Sequence, residues 1–182
     1  RETELDQERQ HHLERSLHDR LTGLPNRELL EDRIAQLLVR TRRDKACHVA
    51  LFVDLDGFKE INDNFGHDHG DAVLCAVARR LVAAVRQTDT VSRLGGDEFF
   101  VLAHDVGSEV DAGHLAEKLL SAIVAPFPGL NGTARLGASI GICIFCGATH
   151  GDSGPDEIIR EADRAMYVAK GGGKHCYAFA PR

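Results

Sequence analysis

The chain lacks most of what would carry a protein into a membrane, onto a nucleic acid or into an oxidising compartment. No apolar run approaches the length of a membrane span, and no signal peptide opens the sequence. Lys and Arg number 22 against 28 Asp and Glu, for a net charge of −6. That balance leaves no basic face for a nucleic acid or an anionic membrane surface. It does not exclude a nucleotide, whose phosphates can be met by metal ions and a few lysines. Cysteines number five (Cys47, Cys75, Cys143, Cys146 and Cys176), an odd and widely spaced set that makes a poor disulfide framework. A reducing, cytoplasmic setting is therefore expected. Cys143 and Cys146 form a C-x-x-C, but "ASIGICIFC" reads as a strand, in which positions three apart face opposite ways. No redox or zinc pair is expected there. There is no internal repeat and no low-complexity tract.

What is present suits one domain: 182 residues, 43% apolar and 27% charged. The first residue is Arg1 rather than Met, which leads to the expectation of a longer parent protein. Residues 1–20 contain no Gly or Pro and are densely charged, with Leu5, Leu13, Leu17 and Leu21 spaced by multiples of four. The spacing fits a solvated helix that pairs as half of a coiled coil, or a frayed extension. Residues 21–182 follow as one domain.

Within that domain Asn26 is placed as the N-cap of a helix bearing Leu30, Ile34, Leu37 and Leu38 on one face. "HVALFVDLD" reads as a buried strand. After a loop, Val73, Leu74, Val77, Leu81 and Val85 mark a second helix, and Leu115, Leu119, Leu120 and Ile123 a third. "ARLGASIGICIFC" is a strand, Pro155 to Lys170 a fourth helix with Gly171 just past its end, and "HCYAF" a closing strand. Alternating strands and helices with one hairpin predict an α/β or α+β fold with a mixed sheet.

Two acid clusters stand out. In "RLGGDEFF", Arg93 to Phe100, a Gly95-Gly96 hairpin connection puts Asp97 and Glu98 at the tip, where small residues let another molecule approach the backbone. Asp54 and Asp56 end the apolar strand. Carboxylates brought together without His or Cys ligands favour Mg²⁺, and two such ions suit in-line displacement at phosphorus. "HDHGD" offers His67 and His69 to zinc, but the spacing suggests no third ligand.

"DRLTGLPNR", "DLDGFKEINDNFGHDHGD", "RLGGDEF" and "ADRAMYVAKGGGK" occur in that order, and through them the chain resembles the GGDEF family of diguanylate cyclases from about Asp19 to Phe179. The resemblance implies a central mixed sheet flanked by helices, like the nucleotidyl-cyclase and polymerase palm, with residues 21–182 as catalytic domain. It implies condensation of two GTP into cyclic di-GMP and two pyrophosphates. Two Mg²⁺ per GTP (Mn²⁺ is an alternative) would be held by Asp54, the Leu55 carbonyl and Asp97. Asp97, supported by Glu98, would be the base for the 3′-hydroxyl. Gly95 and Gly96 would let the backbone lie against the phosphates, which would also meet the Gly57 and Phe58 N–H groups and Lys59, Lys170 and Lys174. The family more often has Arg where Lys174 stands, so the forked contact is lost. His67 would lie near the nucleotide.

Asn62 and Asp71 would read the guanine edge. Asp71 accepts from donors that adenine cannot supply, and it could also cap a helix starting after Gly70. Arg86 and Asp89, with Arg93 assisting, match the family's R-x-x-D product-inhibition site; an i, i+3 ion pair is the plainer alternative. Two chains would face each other to form one active site, and an upstream sensor is implied. A catalytically silent module that binds GTP or cyclic di-GMP and regulates an attached domain is the main alternative. A cyclase or hydrolase for another nucleotide is a third.

Overall fold

The computed structural model describes residues 16–127 and 135–181. Its frame is a five-stranded sheet in the order β2-β3-β1-β4-β5. The central strand β1, Cys47–Asp56, is buried at every position but the first. Such a strand must be apolar on both faces. Val49, Leu51, Val53 and Leu55 point one way, into a core shared with Val73, Val77, Leu81, Leu119 and Ile123. Ala50 and Phe52 point the other way, onto Leu30, Ile34, Ile159 and Met166. β1 runs antiparallel to β3 (Glu98–Ala103) and to β4 (Gly137–Cys146); β2 (Thr90–Gly95) pairs antiparallel with β3, and β5 (Tyr177–Phe179) parallel with β4.

Helices cover both faces. α1, Arg27–Asp44, starts where the Asn26 side chain accepts a hydrogen bond from the Leu29 N–H, and its stripe of Leu30, Ile34, Leu37 and Leu38 is buried. α2 (Phe58–Phe65), α3 (His67–Ala84) and α4 (Glu109–Val124) follow, then the single turn α5 (Gly147–His150) and α6 (Pro155–Gly171). α6 sits directly on the sheet because β4 carries Gly141. A Cβ there would lie 1.9 Å from the Ala162 carbonyl oxygen and 2.1 Å from the Met166 nitrogen. Among the described residues no helix is long and apolar enough to cross a membrane.

The sequence-based expectations need three corrections. The helix expected over residues 1–20 lies outside the described residues as far as residue 15. Over residues 17–20 the chain is a bend and turn instead, with His18 bridged to Pro25. Asp19 organises that turn by accepting from the Thr22 N–H at 2.8 Å and the Thr22 hydroxyl at 2.6 Å. The loop expected after β1 is helical, since Gly66, at φ 85°, passes the chain straight from α2 into α3. α3 therefore begins at His67, which places Asp71 in its second turn and not at its cap. The hairpin turn is displaced by one residue: Gly95 pairs with Glu98, after a register shift between Arg93 and Gly95. Gly96 and Asp97 form the turn.

Candidate active site

The register of β1 on β3 builds the site. Asp54 pairs with Glu98, and the Leu55 N–H donates to the Asp97 carbonyl at 3.1 Å. The strand end and the hairpin tip are thereby fastened side by side. Gly96, at φ 49°, lets the turn form. Asp54 and Glu98 lie on the sheet face covered by α1 and α6. Lys170, from the last turn of α6, brings its Nζ to 2.9 Å from Asp54 Oδ1. It stands there as the ion-pair partner of Asp54. That buried oxygen has no hydrogen-bond partner among the described residues.

The electrostatics follow from crowding. Burial pushes the Asp54 carboxyl above its usual range, Asp97 and Asp56 push the same way, and Lys170 opposes them. Burial likewise raises Glu98, with Asp54, Asp97 and Asp163 adding to it and Arg27 opposing. Burial works against the Lys170 charge, but Asp54, Asp56 and Asp97 outweigh it and hold its pKa up. Acids that repel one another, with oxygens as the available ligand atoms, fit a hard divalent cation such as Mg²⁺.

Asp56 has a different part. It is buried, and Ser139 Oγ donates to its two oxygens at 3.1 and 2.8 Å. The His175 N–H adds a third bond at 3.1 Å. These bonds tie down the loop that carries Lys174.

The remaining candidates line the same end of the sheet. Gly57 adopts φ 86°, and a Cβ there would lie 2.8 Å from the Arg135 carbonyl oxygen. Phe58 is buried beneath it, and Lys59 is exposed. Asn62 lies half-buried over Gly70, where a Cβ would meet its Oδ1 at 1.9 Å. Asp71 and His67 are exposed on α3, and Lys174 is exposed in the loop before β5.

Arg93 stands apart from the R-x-x-D pair. Its guanidinium donates to Asp19 Oδ1 and Oδ2 at 2.9 and 3.1 Å, and to the Gly96 carbonyl at 3.1 and 2.8 Å. It braces the hairpin turn against the N-terminal segment. Arg86 and Asp89 lie beyond the other end of β2, with Asp89 four strand positions, or about 13 Å, from Arg93. Asp89 accepts from the Arg86 and His104 backbone N–H groups at 2.9 and 3.0 Å, and no ion pair joins the two side chains among the described residues. Both residues line a cavity of about 410 Å³ with His104, Asp111, His114 and Lys118.

Sequence reasoning missed Arg27, Asp163 and Asp19. Arg27 and Asp19 lie within "DRLTGLPNR", but nothing in that stretch indicates that the charge of one acts on Glu98 and that the other pairs with Arg93.

Comparison with known proteins agrees with this geometry. The family described as "Diguanylate cyclase, GGDEF domain" matches residues 16–176. The chain is 46% identical over 164 residues to the bifunctional diguanylate cyclase/cyclic di-GMP phosphodiesterase MucR of Pseudomonas aeruginosa, covering 90% of this chain and 23% of MucR. It is 40% identical to the diguanylate cyclase TpbB of the same organism, over 84% of this chain and 35% of TpbB. It thus spans a quarter to a third of these relatives. The solved GGDEF domain of TpbB superposes with a TM-score of 0.82 at 38% identity, covering 90% of this chain and 94% of that one. The active GGEEF domain of a diguanylate cyclase from Vibrio cholerae gives 0.77 at 30% identity, over 87% and 99%. The chain belongs to the GGDEF diguanylate cyclase domain family.

Proposed function

We propose that this chain condenses two GTP molecules into cyclic di-GMP, releasing two pyrophosphates. The observation that carries this is the Asp54–Glu98 pair, with Asp97 on the adjoining turn and Lys170 set against Asp54. Asp54, the Leu55 carbonyl and Asp97 would hold Mg²⁺ or Mn²⁺. When bound, such ions neutralise phosphate charge and stabilise the oxygens entering and leaving phosphorus.

The chain's own groups do the rest. Lys59, Lys170 and Lys174 meet phosphate charge, and the Gly57 and Phe58 N–H groups and the bare backbone at Gly95 and Gly96 admit the phosphates closely. His67 flanks the nucleotide. Asn62 and Asp71 accept and donate along the guanine edge. Loss of such a partner leaves a polar group unpaired, which disfavours ATP. Asp97, with Glu98 in support, takes the 3′-hydroxyl proton. Each hydroxyl attacks the α-phosphate held by a second copy, so a homodimer forms the complete site. Cyclic di-GMP returns to Arg86 and Asp89 as inhibitor, while Arg93 keeps the hairpin in place. A longer parent protein with an upstream sensor is in keeping with the length of the relatives.

The test is incubation with GTP and Mg²⁺ at several protein concentrations, with nucleotides separated by mass and retention. Cyclic di-GMP that rises faster than linearly with protein and is absent in Asp97→Ala supports the reading. If no product forms after bound nucleotide has been stripped and chains paired through a fused coiled coil, the regulatory-module reading replaces it.

A further inference from the structure

A second cluster of ligating side chains lies at the opposite end of β4 from the acids. There β4, α5 and α6 enclose a cavity of about 380 Å³, lined by Cys47, Cys143, Cys146, Thr149, His150 and Glu161 among others. Cys143 and Cys146 both border it, but only the Cys143 sulfur joins the cluster of ligating atoms. Cys146 is the last residue of β4 and the N-cap of α5, still extended and paired with Cys47.

The buried Cys143 Sγ lies 3.2 Å from Glu161 Oε2. His150 Nε2 lies 3.2 Å from the same oxygen. Sulfur, nitrogen and oxygen all fall within 4.8 Å of one another. Zinc bonds of roughly 2.3 Å to sulfur and 2.0–2.1 Å to nitrogen or oxygen, set at tetrahedral angles, separate S from O by about 3.5 Å and N from O by about 3.3 Å. The two edges at Glu161, 3.2 Å each, are close to these. His150 is also pre-oriented, because Thr149 Oγ1 sits 2.7 Å from its Nδ1 and leaves Nε2 to the cavity. A ligating histidine is commonly fixed in this way by a partner on its other nitrogen.

We propose that Cys143, His150 and Glu161 form a zinc site, with water in the fourth position and Cys146 at its rim. The thiolate and imidazole select a borderline-soft cation over the magnesium favoured by the all-oxygen cluster around Asp54. The thiol hydrogen now directed at Glu161 is the one the metal replaces, so uptake releases one proton. The bound ion would join the end of β4, α5 and α6. α6 also carries Lys170, nine residues and about 14 Å beyond Glu161, so the ion would fix the helix that places this lysine beside Asp54.

The experiment titrates the metal-stripped full chain with Zn²⁺ against a chromophoric chelator, with Mg²⁺ in excess to occupy the oxygen site. Co²⁺ is then substituted to read thiolate ligation from its charge-transfer absorption. One equivalent of Zn²⁺ bound tightly, with a thiolate-to-cobalt band, is expected. Cys143→Ser is expected to abolish the band, Glu161→Gln to weaken Zn²⁺ at least tenfold, and Cys75→Ser to change neither. Glu161→Gln keeps the side-chain shape, so it tests the site if the buried cysteine variant fails to fold. Absence of stoichiometric zinc, absence of the band, or binding indifferent to both variants would overturn the site and leave a hydrogen-bonded cluster.

Discussion

Asp54 and Asp56 leave the same face of β1 two positions apart, yet one ends among acids and the other among donors. Ser139 is the cross-strand partner of Asp54, but its hydroxyl reaches diagonally to Asp56. Gly137 stands opposite Asp56, and a Cβ there would meet His175 Nδ1 at 1.5 Å. That opening lets the C-terminal loop in, and with it the His175 N–H. Asp56 is satisfied and serves as an anchor. On the other seam β3 supplies Glu98 to Asp54, and Lys170 is the cation paired with Asp54. The comparison teaches that a buried carboxylate becomes structural where the fold delivers N–H and O–H groups. It stays chemically available where the fold delivers further acids.

The sharpest break in that comparison is Asp54→Asn. Activity is expected to fall at least about a hundredfold, because a cation holder worth several kcal/mol is gone. The metal-free fold should melt no lower than the parent, since a crowded buried charge has been removed. A thermal scan beside the cyclase assay checks both halves.

Asp56→Ala should do the reverse. It leaves the Ser139 hydroxyl and the His175 N–H without their acceptor, at a cost of about 3 kcal/mol in chemical denaturation. Activity should fall less than in Asp54→Asn, through loosening of the loop bearing Lys174. Ser139→Ala sharpens the contrast by removing one donor, for about 1 kcal/mol. An equal loss of activity in the Asp54 and Ser139 variants would show that the two acids are not separate in function.

The smallest signal expected is a pH slope. An acid with a higher pKa folded than unfolded binds extra protons when folded. Its contribution to stability is present at low pH and is lost as pH rises from about 4, the ordinary carboxylate value, through the folded value. Asp54 and Glu98 both belong to this class. In chelator, the difference in melting temperature between the parent and Asp54→Asn plus Glu98→Gln should therefore turn against the parent as pH rises. Mg²⁺ should shrink that difference at neutral pH.

Much of this was legible in the sequence, for reasons that can be located. An apolar strand ending in Asp54 and a glycine hairpin carrying Asp97 and Glu98 are local signals, and they met as expected. Asn26 and the α1 stripe were equally local. What escaped depended on register or on distant partners. A one-residue displacement of the hairpin turn decided that Glu98, and not Asp97, stands across from Asp54. The donors of Asp56 come from 83 and 119 residues away. The start of α3 turned on a left-handed Gly66, which looked like part of a loop. The meeting of Cys143 with His150 and Glu161 depended on where α5 and α6 pack against the end of β4, which no alternating pattern announces.

On the proposed reading, in which Asn62 and Asp71 meet the guanine edge, the seat of Asn62 on Gly70 has a practical consequence for redesigning base choice. The two positions form one mutational unit. Any side chain introduced at 70 evicts the Asn62 amide, so a library that varies Gly70 alone would return mostly misplaced amides and mistake them for altered specificity. Varying Asn62 and Gly70 together is the smallest search that changes either position without displacing the other.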